Sequence, residues 1–318
     1  MQSKPATAIP AAAAASASRR RRLAEISKNK HVYIMLLPVV LYYLIFHYLP
    51  MYGVIIAFKN YAPLRGILGS PWAGLDHFRE FFNSYYFWQL LKNTVLISFY
   101  DLLFGFPAPI LLALILNEVT HLRFKRLVQT ISYLPHFISL VVIVGLVLDF
   151  LSRDGLINQL IVMLGGGATP FMQKPEWFRT IYIATNIWQS VGWGSIIYLA
   201  ALTAISPELY EASRVDGANR WQQLWNVTLP GILPTIVIML ILRVGDMMSI
   251  GYEKIILMYN PLIYDTADVI STFIYRKGLL EMNYSYSTAV GLFNAVINFT
   301  LLVLVNRLSR RLSGSSLW

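Results

Sequence analysis

Long apolar runs alternate with shorter polar segments along most of the chain. Six of these runs are at least as long as the roughly 20 residues that an α-helix needs to cross the hydrocarbon of a bilayer. They span residues 31–58, 93–116, 127–150, 180–205, 229–250 and 287–306. Several contain proline, which membrane helices tolerate where neighbouring helices satisfy the freed backbone groups. The pattern predicts an all-α polytopic membrane protein with six transmembrane helices.

Composition supports a membrane location for these runs. Of the 318 residues, 56% are hydrophobic and 13% are charged, and the mean hydropathy is +0.54. A water-soluble domain of this size needs far more charge on its surface. The chain has no cysteine, which excludes disulfides, thiol nucleophiles and Cys-ligated metals. The net charge of +10 is better explained by membrane orientation than by nucleic-acid binding.

Basic residues are concentrated on one side of the predicted spans. The side that holds both termini carries 15 Lys and Arg against 5 Asp and Glu, whereas the other side carries 10 against 8. Because positive loops stay in the cytoplasm, we expect both termini to be cytoplasmic. Residues 1–30 are then a disordered, basic cytoplasmic tail. Residues 31–311 form the membrane domain, and residues 312–318 form a short C-terminal tail.

A polar segment, residues 206–230, separates the fourth and fifth runs and reads SPELYEASRVDGANRWQQLWNVTLP. Ser206 suits the N-cap of a first helix. An Asp-Gly turn follows, in which Gly217 is free to take positive φ. A second helix then places Trp221 and Trp225 on one face. Such a hairpin suits insertion into a groove of another protein, and a packed internal loop is the equal alternative.

An outer loop contains GLDHFREFF, which predicts an amphipathic helix. Leu75, Phe78, Phe81 and Phe82 share one face of it. This face either lies in the membrane interface or packs on the protein's own surface.

Motifs for nucleotide, zinc and acyl-transfer chemistry are missing from the sequence. There is no G-x-x-x-x-G-K-[ST] phosphate loop and no G-x-S-x-G elbow. No two of the five histidines stand four residues apart, so no HExxH zinc site exists. No acid–base or metal constellation points to an enzyme.

The hairpin carries a recognisable signature. EASRVDG, nine residues and VTLP resemble the EAA motif of ABC importer permeases, with Ser213 and Val227 in place of the usual Ala and Ile. The stretches YLPMYGVIIAFKNY, GSPWAGLDHFREFF, LLFGFPAPILLALILNE, QTISYLPHFIS, YNPLIYDTADVISTFIYRKGL and AVGLFNAVINF are similar to the polysaccharide-type branch of the maltose-permease-like family. The resemblance extends over residues 31–311 and leaves out the N-terminal tail.

The resemblance implies the type I ABC importer permease fold, in a bacterial inner membrane, with the hairpin as a cytoplasmic coupling helix. The expected partners are a second permease, related but different, two cytoplasmic ATPase subunits and an extracytoplasmic solute-binding protein. ATP and Mg would be bound by the ATPase subunits, so this chain would bind no cofactor and catalyse no reaction. The expected ATPase-coupling residues are Glu211, Ala212, Ser213, Gly217, Trp221 and Trp225.

Charged residues inside the runs are candidates for substrate contact, because ionisable groups are expensive in a membrane. Asp101, Asp149, Arg243 and Asp246 qualify. Arg243 lies about 20 Å along a helix from Pro230, on the outer half of its span. Arg243 and Asp246 are three residues apart, so a simple intrahelical pair is the alternative to a substrate role.

Polar side chains in two other runs complete the candidate path. Asn186, Gln189 and Trp193 share a face of the fourth run, and Asn294 and Asn298 share a face of the sixth. Amides and an aromatic ring suit sugar hydroxyls and C–H faces. Amides also serve as hydrogen-bond links between membrane helices, which is their more common use.

These observations favour an ABC importer permease for an oligo- or polysaccharide. Among members of the family that the chain resembles, the permease of an alginate importer is the leading candidate, and Arg243 would suit its anionic polyuronate. The alternatives are the same type of importer for another sugar or a modified saccharide, a secondary transporter or channel, and a polytopic membrane enzyme. A secondary transporter or channel would leave the EAA-like hairpin without a function. A membrane enzyme would need catalytic groups that the sequence does not show.

Overall fold

The computed structural model describes residues 28–313, and this part of the chain is helical without a strand. The only β-pairing in it is a single bridge between Lys59 and Trp72. Residues 1–27 and 314–318, and with them nearly all of the two predicted tails, lie outside the described residues. The chain divides into two compact units after Ile55.

The helices follow one another through short connections. The α-helices are α1 Lys30–Tyr43, α2 Leu49–Met51, α3 Gly66–Gly69, α4 Asp76–Asn83, α5 Phe87–Tyr100, α6 Pro107–Glu118, α7 Leu122–Tyr133, α8 Leu140–Phe150, α9 Leu156–Met163, α10 Pro175–Thr203, α11 Pro207–Val215, α12 Arg220–Gln223, α13 Leu229–Gly245, α14 Tyr252–Met258, α15 Tyr264–Ala267, α16 Ile270–Tyr275 and α17 Tyr284–Ser313. Turns of 3-10 helix occupy Tyr52–Phe58, Leu134–Phe137, Phe171–Gln173 and Pro261–Ile263. Turns of π-helix occupy Leu44–Tyr48, Asp101–Gly105, Leu224–Thr228 and Arg276–Leu280.

Four continuous helical stretches in the described residues are long and apolar enough to span a membrane. They are Lys30–Phe58, Phe87–Glu118, Arg220–Gly245 and Tyr284–Arg311. Two bent pairs, Leu122–Phe137 with Leu140–Phe150 and Pro175–Thr203 with Pro207–Val215, bring the number to six if each pair is one span. These segments cover five of the six apolar runs in full. The fifth run, 229–250, is covered only as far as Gly245, where its helix ends.

The third predicted span is not a straight helix, which corrects the expectation for residues 127–150. Its two helices meet at 102°. Pro135 lies in the 3-10 turn between them and has no N–H for a helical hydrogen bond. Ser139 then caps the new helix by accepting a hydrogen bond from the Val142 N–H. The apolar pattern continues across the bend, so hydropathy alone does not reveal it.

Helix α10 lies at the centre of the second unit and packs against α6, α7 and α13. It contributes the buried side chains Phe178 and Tyr182 to one apolar cluster and Tyr198 to another. At Gly192, α10 approaches α7 so closely that a Cβ atom would lie 2.1 Å from the Ser132 carbonyl oxygen. Only glycine permits this crossing, which fixes where α10 stands relative to α7.

The predicted amphipathic outer helix is present as α4. Phe81 is buried and its ring lies 5.1 Å from that of Phe87 and 5.5 Å from that of Phe293. Phe82 and Leu75 stay exposed. The interpretation that the helix packs on its own protein is therefore confirmed for Phe81.

A polar network fixes the segment between α14 and α17. The buried carboxylate of Asp268 accepts two hydrogen bonds from the Arg276 guanidinium, at 2.6 and 3.1 Å. Burial lowers the pKa of Arg276, but the Asp268 carboxylate outweighs it and holds that pKa above its usual value. Asn93 of α5 donates to the backbone carbonyl of Asp268, at 3.0 Å. The network ties the segment after α14 to the second span.

Candidate functional site

A cavity of about 670 Å³ opens between α5, α10, α13 and the segment that follows α13. Its lining combines apolar side chains with an unusual number of polar ones for an apolar chain. The polar and charged lining residues are Ser98, Asp101, Tyr182, Asn186, Gln189, Ser190, Arg243, Asp246, Ser249, Tyr252, Glu253 and Lys254.

An ion pair joins two spans beside this cavity. Arg243 of α13 donates a hydrogen bond to the carboxylate of Asp101, which begins the π-turn inside the second span. The Arg243 side chain is 49% exposed, whereas that of Asp101 is 16% exposed. The other Asp101 carboxylate oxygen is buried and has no hydrogen-bond partner among the described residues. The intrahelical pairing of Arg243 with Asp246 is not the arrangement found, because Arg243 pairs between helices.

Lys254 is the buried cation of the cavity. It lies on α14, is 4% exposed, and its ammonium donates to Asn186 Oδ1 at 2.7 Å and to Gln189 Oε1 at 3.0 Å. It also stands 5.9 Å from the centre of the Tyr182 ring. Burial lowers the pKa of Lys254 to about 8, and the charge of Asp101 opposes that shift. The two amides predicted for the path are thus brought together by a lysine.

The structure places the predicted path residues in two groups. Asn186, Gln189, Arg243 and Asp246 line the cavity. Trp193, Asn294 and Asn298 are not among its lining residues.

Trp193 stacks flat on His136, with the ring centres 4.6 Å apart and the planes 3° apart. One face of its indole is therefore covered by the residue at the bend between α7 and α8. Asn298 accepts from the Met248 N–H at 2.9 Å and donates to Ser249 Oγ at 2.7 Å, so it holds the chain just after α13. Asn294 is buried, and its carbonyl oxygen has no partner among the described residues.

Sequence reasoning missed Lys254 as a site residue and did not pair Asp101 with Arg243. Lys254 follows the last apolar residue of the fifth run by four positions, which is typical of a loop cation. The signal that points to the ion pair is the presence of an acidic residue in the second run and a basic residue in the fifth. The hydrophobic periodicity of the runs does not show how far apart they lie in the folded protein. It also does not show that α14 lies against the cavity.

The hairpin consists of α11, a turn and α12, which continues through a π-turn into α13. Gly217 in the turn has φ +80°, as the Asp-Gly pair predicts. Asn219 and Gln222 cap α12 reciprocally, because each side chain bonds to the other's backbone N–H. Ser206 occupies the N-cap position of α11, but its side chain makes no capping hydrogen bond.

The surface of the hairpin presents apolar and charged groups together. Trp221 and Trp225 are 67% and 57% exposed and contact each other edge to face. Glu211, Ala212 and Gly217 are exposed as well, while Ser213 is half-buried and donates to the Tyr210 carbonyl oxygen. The arrangement leaves the two tryptophans free for another surface.

The hairpin is also tied to the membrane helices. The hydroxyls of Tyr210 and Thr228 lie 3.1 Å apart, and Arg220 lies 3.6 Å from the Glu118 carboxylate at the end of α6. A cleft of about 900 Å³ separates the hairpin from residues 117–120. The hairpin therefore contacts the residue before α13 through α11, and it contacts α6 through α12.

Within residues 28–313, no three His, Asp or Glu side chains stand close enough together to hold a metal ion. The groups brought together at the cavity offer hydrogen bonds and ion pairs.

Residues 105–314 match the family described as binding-protein-dependent transport system inner membrane component. The polygalacturonan/rhamnogalacturonan transport system permease protein YteP of Bacillus subtilis (strain 168) is 46% identical over 93% of this chain and 92% of its own. Protein LplB of the same organism is 43% identical over 93% of each chain. A chain in the crystal structure of a bacterial alginate ABC transporter, in complex with an alginate pentasaccharide-bound periplasmic protein, is 46% identical with a TM-score of 0.86, covering 92% of this chain and 98% of that one.

Proposed function

Because the chain belongs to the family of binding-protein-dependent transport system inner membrane components, we propose that it is the permease of an ATP-driven importer for saccharides that carry carboxylate groups. It has the type I ABC importer permease fold, and it is a sugar ABC importer permease of the inner membrane. Membership of this family sets aside the secondary transporter, the channel and the membrane enzyme.

The charge of the proposed substrate is supported by one observation above all. Arg243 is a half-exposed guanidinium on the wall of the cavity, although it belongs to an otherwise apolar span. A guanidinium offers planar, paired donors that match a carboxylate. The names of the relatives point the same way, because polygalacturonan and alginate are both polymers of uronic acids. Arg243 would exchange Asp101 for a substrate carboxylate as the saccharide passes.

The energy for import is proposed to come from partner subunits. The chain lacks a phosphate-binding loop, so two ATPase subunits would bind ATP and Mg, and the hairpin would dock on them through Trp221, Trp225 and the surface around Glu211. A second, related permease would complete the pathway, and a solute-binding protein would deliver the saccharide from outside. Docking of the hairpin on cytoplasmic ATPase subunits would also place both termini of the chain in the cytoplasm.

The experiment that tests this function is uptake by the whole transporter reconstituted in vesicles with its binding protein. Three probes of equal length are compared: trimers of galacturonate, trimers of alginate uronates and trimers of galactose, which carry no carboxylate. We expect ATP-dependent uptake of at least one acidic trimer and at least tenfold less uptake of the neutral one. Preferred uptake of the galactose trimer would instead support an importer of the same type for neutral sugars.

Arg243→Gln is expected to lower uptake of the acidic trimer by at least about tenfold, because charge-assisted bonds to carboxylates are among the strong ones. The substitution also leaves Asp101 without its partner, which by itself destabilises the protein.

The double variant Arg243→Gln/Asp101→Asn separates the two effects. We expect it to recover assembly and thermal stability without recovering uptake. Full uptake by the double variant would show that Arg243 serves only to neutralise Asp101.

A further inference from the structure

Lys254 is best compared with buried Lys59 and half-buried Arg276, because the three cations have different hydrogen-bond partners. Arg276 is held by the Asp268 carboxylate, and Lys59 donates to the backbone carbonyls of Ile67 and Leu68. Lys254 donates to two neutral side-chain amides. Neither Lys254 nor Lys59 has a carboxylate within ion-pair distance among the described residues, but Lys254 lines the cavity and Lys59 does not. A buried charge is costly unless it is paired. Among the described residues, the Lys254 ammonium therefore has no counter-ion.

The hydrogen bonds of Lys254 leave room for one more acceptor. An ammonium has three N–H donors, and Asn186 and Gln189 accept two of them. Lys254 lines the cavity that Arg243 also lines. A third acceptor can therefore come from a molecule in the cavity.

The two amides take part in the same arrangement. Each accepts from Lys254 through its oxygen, so the NH₂ group of Gln189 remains for donation, while the Asn186 side chain also bonds to Tyr182. Hydroxyls of a saccharide accept such hydrogen bonds. One face of α10 thus offers neutral hydrogen-bond donors next to the positive charge of Lys254.

Negative groups also line the cavity, and their positions decide whether an anion is tolerated. Asp101 is matched by Arg243, while Asp246 and Glu253 are exposed. Exposed charges are screened by solvent and salt, whereas a buried ammonium is screened much less. The charge that acts most strongly on a molecule beside α10 is therefore that of Lys254.

We infer that Lys254, held by Asn186 and Gln189, is a specificity-determining residue that binds a carboxylate of the saccharide in the transmembrane cavity. This inference rests on the proposed function. Lys254 acts from α14, outside the spans, and Arg243 acts from α13. The two cations thus approach the cavity from two different elements, and an acidic saccharide can contact both.

The test uses the reconstituted transporter and the same acidic and neutral trimers. Lys254→Met keeps a long side chain and removes the charge. We expect it to lower uptake of the acidic trimer by at least about tenfold relative to the wild type, and to lower uptake of the neutral trimer much less. Thermal stability should be unchanged or raised, because the variant removes a buried, unpaired charge.

Two further variants complete the comparison. Lys254→Arg keeps the charge and is expected to retain more acidic uptake than Lys254→Met. Lys92→Met removes an exposed lysine of α5 and is expected to match the wild type. Because the binding protein is the same in all vesicles, differences in uptake arise in the permease.

The outcomes separate this inference from the proposed function. If the wild type takes up acidic trimers and Lys254→Met does so equally well, the inference fails and the function stands. A loss of assembly in Lys254→Met, or equal losses for acidic and neutral trimers, would show a structural role and overturn the inference. If the wild type takes up no acidic trimer, the proposed function fails and the inference falls with it.

Discussion

Gly217→Val is expected to reduce uptake by more than tenfold while the protein still inserts and assembles. Gly217 has φ +80°, a region that costs an L-residue roughly 1–2 kcal/mol and a β-branched one more. No heavy atom lies within 4 Å of the position that a Cβ would occupy, so a clash does not contribute. The turn would relax to negative φ and misdirect α12 and the π-turn that follows it, which carry Trp221 and Trp225 respectively. Insertion depends on the hydrophobicity of the spans and not on this turn.

The control for this prediction is Gly217→Asn. Asparagine tolerates the left-handed region and adds a side chain at the same open place, so uptake should stay near the wild-type level. Substrate-stimulated ATP hydrolysis is measured beside uptake in the same vesicles. Glu211→Ala is expected to weaken this coupling less severely than Gly217→Val. If Gly217→Val leaves both activities intact, the hairpin is a packed loop and not a coupling element.

Gly192→Ala is expected to destabilise the protein strongly. The new Cβ would lie 2.1 Å from the Ser132 carbonyl oxygen and 2.8 Å from the Tyr133 backbone nitrogen. These are backbone atoms of a packed helix, which cannot rotate aside as a side chain does. We expect a loss of ~3 kcal/mol or more and a sharply reduced yield of assembled transporter, measured by thermal unfolding in detergent.

Gly145→Ala is the matched control, since Gly145 also lies in an apolar helix but has no heavy atom within 4 Å of a new Cβ. Alanine favours the helix over glycine by about 1 kcal/mol, so stability should stay equal or rise. Equal losses in the two variants would mean that α10 and α7 do not cross as closely as described.

The sequence predicts the helical class and the number of apolar segments well, because both depend on hydrophobicity along the chain. The 102° bend after Pro135 escapes such reasoning, since the residues on both sides of it are apolar. The turn at Gly217 is predicted correctly, because an Asp-Gly pair determines its own backbone locally.

The candidate site could be predicted only in part, because local sequence patterns do not reveal contacts between distant segments. Asn186 and Gln189 share a helix face by spacing alone, and both line the cavity. Their bond to Lys254 joins residues 68 and 65 positions apart, and the bond from Arg243 to Asp101 joins residues 142 positions apart. Contacts of this kind depend on how whole helices pack, which no local pattern of one sequence specifies.

The ion pair between Asp101 and Arg243 also bears on the electrical work of transport. Its two charges cancel, so a rearrangement that moves them together carries no net charge through the membrane field. The charge that crosses the field is then that of the saccharide. For a polyanion moving toward a negative interior, this opposes import by about 2.3 kcal/mol per charge for each 100 mV. An acidic saccharide of several residues therefore cannot accumulate by diffusion alone, and each carboxylate adds to the work that ATP hydrolysis has to perform.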